Sequence, residues 1–151
     1  IHPELNEQEI EKFVEIAIDK EHEMLRATGG ILYPRFYETL EELSKKHKLC
    51  IVSNCQAGYI EIFLECHKCS YLFSDFECPG NTGLAKDENI KLVAKRNGFD
   101  NPIYVGDTIK DMNSAHNAHL PFVWASYGFG KDITGYEYKV ACLYDLVNLL
   151  N

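Results

Sequence analysis

The sequence predicts an α/β protein with a parallel sheet, and three observations carry that expectation. Short apolar runs over 49–52, 102–105 and 122–125 alternate with segments of ten or more residues whose apolar positions recur at helical spacing. Each run stops at small or polar turn residues, as a strand buried on both faces does. No internal repeat or low-complexity tract breaks the alternation.

Taken in order, residues 7–27 place Ile10, Phe13, Val14, Ala17, Ile18 and Leu25 three and four apart between charged residues, an amphipathic helix ended by Thr28-Gly29-Gly30. Phe36, Leu40 and Leu43 set a second helix within 32–47, starting near Pro34 and closing on Lys45, Lys46 and Lys48. The run 49–52 is a strand stopped by Ser53-Asn54, and a helix follows over 57–67. Residues 71–76 read as a short strand and 79–83 as a loop by composition. A helix over 86–97 closes on Gly98; strand 102–105, turn 106–108 and helix 109–118 come next. Strand 122–125, a glycine-rich loop over 127–135, a short strand over 138–141 and a helix over 143–150 complete the chain.

The 151 residues are 46% hydrophobic and 25% charged, enough for one domain with its own core. Fifteen Lys and Arg against 23 Asp and Glu give a formal charge of -8, which repels polyanions, so nucleic acid and anionic membranes are poor partners. No apolar run has membrane-spanning length and 1–4 lack a signal pattern, so a cytoplasmic location is expected. The six cysteines are expected to be reduced. Cys66-His67-Lys68-Cys69 with Cys78 is the one metal-like cluster, and a zinc site there is weighed against plain buried or surface thiols. His47, His67, His116 and His119 show no H-E-x-x-H spacing, and no nucleotide-binding glycine motif or G-x-S-x-G elbow is present.

Ligands of parallel sheets gather beyond the carboxyl ends of the strands, and three positions there are chemically loaded. Gly106-Asp107-Thr108-Ile109-Lys110-Asp111 puts two carboxylates four apart on one side of a first helical turn, suited to a hard cation such as Mg²⁺. The plainer reading makes Asp107 a turn residue and Asp111 a solvated helix acid. Ser53-Asn54 offers a hydroxyl, an amide and backbone N–H groups to a phosphate, or serves as a helix cap. Lys86 opens a helix, where the helix dipole disfavours a cation, which hints at a nearby anion.

In this order, Ser53-Asn54, Lys86 and Gly106-Asp107-x-x-x-Asp111 resemble motifs II, III and IV of the haloacid dehalogenase-like (HAD) hydrolases. Leu32-Tyr33-Pro34 with the Thr39-Leu40-Glu41-Glu42-Leu43 helix, and Ala125-Ser126-Tyr127-Gly128, are similar to the phosphoglycolate phosphatase-like subgroup. The resemblance implies a Rossmann-like three-layer α/β/α core over 31–151, with 1–30 the remnant of a helical cap. It implies Mg²⁺-dependent hydrolysis of a small phosphorylated substrate through an aspartyl-phosphate. Ser53, Asn54 and Lys86 would bind the phosphoryl group, Lys86 would also shield the nucleophile, and Asp107 with Asp111 would anchor Mg²⁺. Asp87 departs from the Pro or Gly frequent after that lysine.

The family's nucleophile and general acid lie in an apolar strand ending in D-x-D, and no two aspartates here are two apart. Asp75-Phe76-Glu77 is the nearest mimic but falls between motifs II and III. The family places the nucleophile strand in mid-sheet, so its loss would leave two strand edges unpaired. A chain that begins at Ile1 is accordingly expected to be the downstream part of a longer protein, with the upstream segment as a partner. By itself it is expected to be inactive; the alternative is a truncated, non-catalytic module that binds phosphate or protein.

Overall fold

The computed structural model describes residues 6–151, so the stretch 1–4 read for a signal pattern and the first residues of the expected cap remnant 1–30 lie outside the described residues. Helix α1 (Glu7–Thr28) starts on an Asn6–Glu9 capping box and ends on Gly29, whose φ of 67° is the left-handed turn expected of a C-terminal glycine. None of its residues is buried, and it packs against α3 (Tyr59–Cys66). Helix α2 (Phe36–Ser44) is shorter than the spacing predicts. Pro34 does not open it, because Arg35 adopts a left-handed φ of 62° in front of it. There Arg35 lies 3.1 Å from the Tyr144 ring centroid and forks onto Glu38 with two 2.6 Å hydrogen bonds.

Strand β1 (Cys50–Val52) pairs in parallel with β2 (Asp75–Glu77). The expected strand over 71–76 thus begins later: Ser70–Leu72 is a 3-10 turn that buries Leu72, and pairing starts only where Asp75 meets Cys50. Residues 79–83, read as loop, contain a one-turn helix, α4 (Pro79–Thr82), with Pro at its first position and Gly83 at φ 70° as its cap. Composition marked both ends as breakers, whereas the backbone uses them as a helix start and stop. Helix α5 (Lys86–Asn97) closes on left-handed Gly98 as expected.

Strands β3 (Tyr104–Gly106), β4 (Phe122–Ala125) and β5 (Tyr138–Val140) form a second parallel group with β4 central; α6 (Ile109–Asn117) crosses from β3 to β4 and α7 (Asp145–Leu150) ends the chain. Helices α2, α3 and α7 bury Leu40, Leu43, Ile60, Leu64, Leu146 and Val147 with Val123 and Val140 in one cluster. On the other face α5 packs beside α6, and Met112 and Ala115 meet Phe122 and Trp124. This is the three-layer α/β/α core.

The two strand groups do not pair with each other, and their facing edges are β1 and β3. The link between them is a side chain: the Tyr104 hydroxyl donates to the Val52 carbonyl at 2.7 Å. Around that link opens a cleft of about 690 Å³, lined by both strands and by helices of both outer layers. No helix among the described residues is long and apolar enough to cross a membrane.

Candidate active site

The loaded residues lie at the carboxyl ends of β1 and β3 and at the start of α5. Lys86 reaches α5's first position from a loop pinned by buried Asn89, which accepts from the Thr82 hydroxyl at 2.8 Å and donates to the Leu84 carbonyl at 3.2 Å. Its ammonium is ion-paired with Asp111, both side chains being 10% exposed, and stands 5.3 Å from the Tyr104 ring centroid. That pair supplies the anion which the position of Lys86 hinted at. Asp87 turns away and faces Lys91 at 4.0 Å.

Asp111 is the hub. Its Oδ2 accepts from the Thr108 backbone N–H at 3.0 Å, the Thr108 hydroxyl at 2.7 Å and the Asp107 N–H at 3.3 Å, closing a capping box on α6. It is therefore not a solvated helix acid. Burial pushes its carboxyl up, but the hydrogen bonds from Lys86 and Thr108 outweigh that and hold it below the usual carboxylate range. Burial likewise works against the Lys86 charge, and Tyr104 and Asp111 outweigh it, so the ammonium stays protonated.

Asp107 is held from the far side. Its Oδ2 accepts from the Phe129 N–H at 2.7 Å, in the loop after β4. That loop comes close because it carries glycine: a Cβ on Gly128 would sit 2.4 Å from Asp107 Oδ2, and one on Gly130 would sit 2.0 Å from the Asp107 carbonyl oxygen. Gly106 is similarly required, since its Cβ would lie 2.6 Å from that of Asp111. Among the described residues Asp107 Oδ1 accepts no hydrogen bond.

Ser53 is half-buried and Asn54 exposed at the end of β1. The Ser53 backbone N–H is not free, as the sequence reading had it, but donates to the Glu77 carbonyl at 3.2 Å, because the ladder with β2 runs one residue past the strand. The Ser53 hydroxyl remains, beside the Cys55 thiol, which burial pushes up to about 11 and so keeps neutral near pH 7. Ser53 and Asn54 make no direct hydrogen bond to Lys86, Asp107 or Asp111 among the described residues; Val52 and Tyr104 join the two strand ends.

The other candidates resolve simply. Cys66 faces the Leu25 and Arg26 carbonyls, Cys78 the Gln56 carbonyl, and Cys69 is buried, so the zinc cluster does not form. Among the described residues no three His, Cys, Asp or Glu side chains gather as a metal site. Asp75 and Glu77 clamp Arg96 at 2.6 and 2.9 Å, which accounts for that acidic strand structurally. Sequence reasoning missed the Thr108 cap, although Thr108-x-x-Asp111 is a readable capping pattern, and missed the clamp of Gly128-Phe129-Gly130 on Asp107, which no local signal announces.

A two-strand-group α/β/α core with Asp107 and Asp111 in the turn and helix after β3 and a lysine at the start of α5 defines the class. The haloacid dehalogenase-like hydrolase family model matches residues 1–125, and the chain belongs to that family. It is 26% identical over 121 residues to a phosphoglycolate phosphatase of Pasteurella multocida, covering 77% of this chain and 54% of that protein. Over 107 residues it is 29% identical to the Haemophilus influenzae phosphoglycolate phosphatase, covering 68% and 48%. The chain thus spans about half the length of these curated relatives. The crystal structure of a predicted phosphoglycolate phosphatase from Haemophilus somnus superposes with a TM-score of 0.83 at 22% identity, covering 98% of this chain and 69% of that one. A magnesium-bound HAD hydrolase from Bacillus subtilis superposes at 0.76 with 18% identity, covering 88% and 61%.

Proposed function

We propose that this chain carries the phosphoryl-binding and Mg²⁺-binding parts of a phosphatase acting on a small phosphorylated metabolite. The observation that carries the reading is the Lys86–Asp111–Asp107 cluster at the strand ends of a HAD-family core. Asp107, a hard oxygen donor with Oδ1 unpartnered among the described residues, is the direct Mg²⁺ ligand. With both its oxygens already hydrogen-bonded, Asp111 aims Asp107 through the Asp107 N–H and holds Lys86 in place. Bound Mg²⁺ would supply neutralising charge at a phosphoryl oxygen. Lys86 supplies a second positive charge to the phosphoryl group, and the Ser53 hydroxyl and Asn54 amide donate to its oxygens.

The phosphoryl acceptor of this scheme, an aspartate at the end of a strand between β1 and β3, comes from a segment outside this sequence, in keeping with the parted edges of those strands. Residues 1–30 then belong to the cap of the whole protein, a cytoplasmic enzyme that uses neither nucleic acid nor membrane. The same parted edges favour one other reading, a non-catalytic module that binds phosphate or another polypeptide.

Hydrolysis of p-nitrophenyl phosphate with and without Mg²⁺ tests this. The 151-residue chain alone is expected to show no turnover, and a longer polypeptide supplying an upstream D-x-D strand is expected to show Mg²⁺-dependent turnover that Asp107→Asn abolishes. Full-length protein without turnover, or turnover indifferent to Asp107→Asn, would favour the binding module.

A further inference from the structure

The thiols of Cys55 and Cys78 meet beside the strand end that carries Ser53, and we infer that they form a thiol–disulfide site, closed by a low-molecular-weight disulfide and reopened by the matching thiol, that controls the Ser53-Asn54 turn. Both cysteines are free in this structure. Cys55 follows β1 and Cys78 follows β2, and three hydrogen bonds hold the two segments together around the sulfurs. The Ser53 N–H donates to the Glu77 carbonyl at 3.2 Å, the Gly80 N–H donates to the Cys55 carbonyl at 3.2 Å, and the Cys78 thiol donates to the Gln56 carbonyl at 3.7 Å. Gly80 permits this approach, since a Cβ there would lie 2.0 Å from the Ala57 nitrogen. The Cys55 thiol is thereby within hydrogen-bonding reach of both the Cys78 thiol and the Ser53 hydroxyl. Cys66 and Cys69, closer in sequence, are not so placed: Cys66 turns to the Leu25 and Arg26 carbonyls while Cys69 is buried.

The two thiols differ in a way that assigns their parts. Cys55 is half-buried and open to a small reagent, whereas Cys78 is 0% exposed and is reached only by a sulfur already inside. The Cys55 thiolate attacks one sulfur of the small disulfide, forming a mixed disulfide and releasing a thiolate that takes up the proton Cys55 gave. The Cys78 thiolate then attacks the Cys55 sulfur, forming the internal bond and releasing the second small thiol. In all, two protein thiols lose two electrons and two protons, and one small disulfide is reduced to two thiols. Burial keeps the Cys55 thiolate scarce at neutral pH, so the pair follows the surrounding thiol–disulfide ratio slowly and is not a fast peroxide sensor.

A covalent bond between the sulfurs is shorter than any hydrogen bond between thiols, so closure draws Cys55 and its turn towards Cys78 and β2. Strand β2 flanks β1 on the side away from β3 and Asp107. Closure therefore withdraws Ser53 and Asn54 from the Asp107 side of the site. The bond itself stands on the cysteine geometry, and its effect on phosphate rests on the reading of the site given above.

The test equilibrates the 151-residue chain carrying Cys142→Ser, which removes the exposed thiol, with glutathione disulfide at about pH 8.5, where thiolate is less scarce. Peptide mass mapping is expected to find a Cys55–Cys78 bond with a loss of about 2 Da, reversed by dithiothreitol. Cys78→Ser is expected to stop at one glutathione on Cys55, and Cys55→Ser to leave Cys78 unmodified. No bond between the two, a Cys66–Cys69 bond in its place, or glutathione on Cys78 in the Cys55→Ser chain would overturn the site. On closure the amide resonances of Ser53 and Asn54 are expected to shift, and inorganic phosphate to bind about tenfold more weakly than to the reduced chain, the worth of one hydrogen bond to a charged group. Unmoved resonances, or equal phosphate affinity in both forms, would overturn the control of the turn. A reduced chain that binds no phosphate overturns the proposed function and leaves the Cys55–Cys78 bond, read by mass alone, standing.

Discussion

The ammonium of Lys86, at the first position of α5, is ion-paired with the carboxylate of Asp111, the third residue of α6, and both side chains are 10% exposed. A buried pair gains from its Coulomb attraction only while both partners remain. Lys86→Met is therefore expected to cost about 3 kcal/mol by urea unfolding, the lower end for breaking such a pair. The double variant Lys86→Met/Asp111→Leu is expected to lose less than the two single losses added, which a double-mutant cycle would measure.

Thr108 caps α6 and donates its hydroxyl to Asp111 at 2.7 Å. Thr108→Ala is expected to lower stability by about 1 kcal/mol, as lost N-caps do, and Thr108→Ser to restore most of it. Because Asp111 steadies Asp107, Mg²⁺ affinity by titration calorimetry is expected to fall in the alanine variant and recover in the serine variant.

Gly130 stands against the Asp107 backbone and Gly128 against its carboxylate. A methyl group at 2.0 Å from a backbone oxygen cannot be accommodated by rotating a side chain, so Gly130→Ala is expected to destabilise the fold by about 2 kcal/mol or more. At Gly128 the clash is with a rotatable carboxylate. Gly128→Ala is thus expected to cost less stability and more Mg²⁺ affinity, a contrast read by thermal unfolding beside calorimetry.

The pH dependence follows from Asp75 and Asp111. Burial works against the charge of each, but Arg96 and Asn97 outweigh it at Asp75, and Lys86 and Thr108 do so at Asp111, so both carboxyls are held below their ordinary range. A carboxyl lowered in the folded state binds its proton more readily when unfolded. Its stabilisation is fully present above the unfolded value, about pH 4, and is lost as pH falls through the lower folded value. Urea midpoints are expected to change little from these groups between pH 7 and 5 and to drop below 4. Asp75→Asn is expected to be less stable near neutrality and to show a shallower acid decline.

Much of the architecture was legible because its causes are local. The period of α1, the glycine after α5 and the apolar runs of β1 and β4 each report on a few neighbouring residues, and the elements stand there. Elements failed to match where a distant partner decides. Arg35 takes a left-handed turn where Tyr144 offers a ring, and Asp75 becomes strand where Cys50 offers a ladder.

The site divides in the same way. Lys86, Asp107, Asp111 and Ser53 could be singled out because residue type and position after a strand or at a helix start are properties of the chain itself. Their wiring is set by approach through space: Asp111 receives Lys86 from 25 residues away, Phe129 reaches Asp107 from 22, and the Ser53 N–H is spent on β2. By itself the sequence determined an acidic α/β chain with two polar or charged strand ends and a lysine opening a helix. Only the tertiary structure decided which of those groups neutralise one another, which oxygen stays open, and that β1 and β3 stand apart, since hydrogen bonds and ion pairs depend on distances that chain order does not contain.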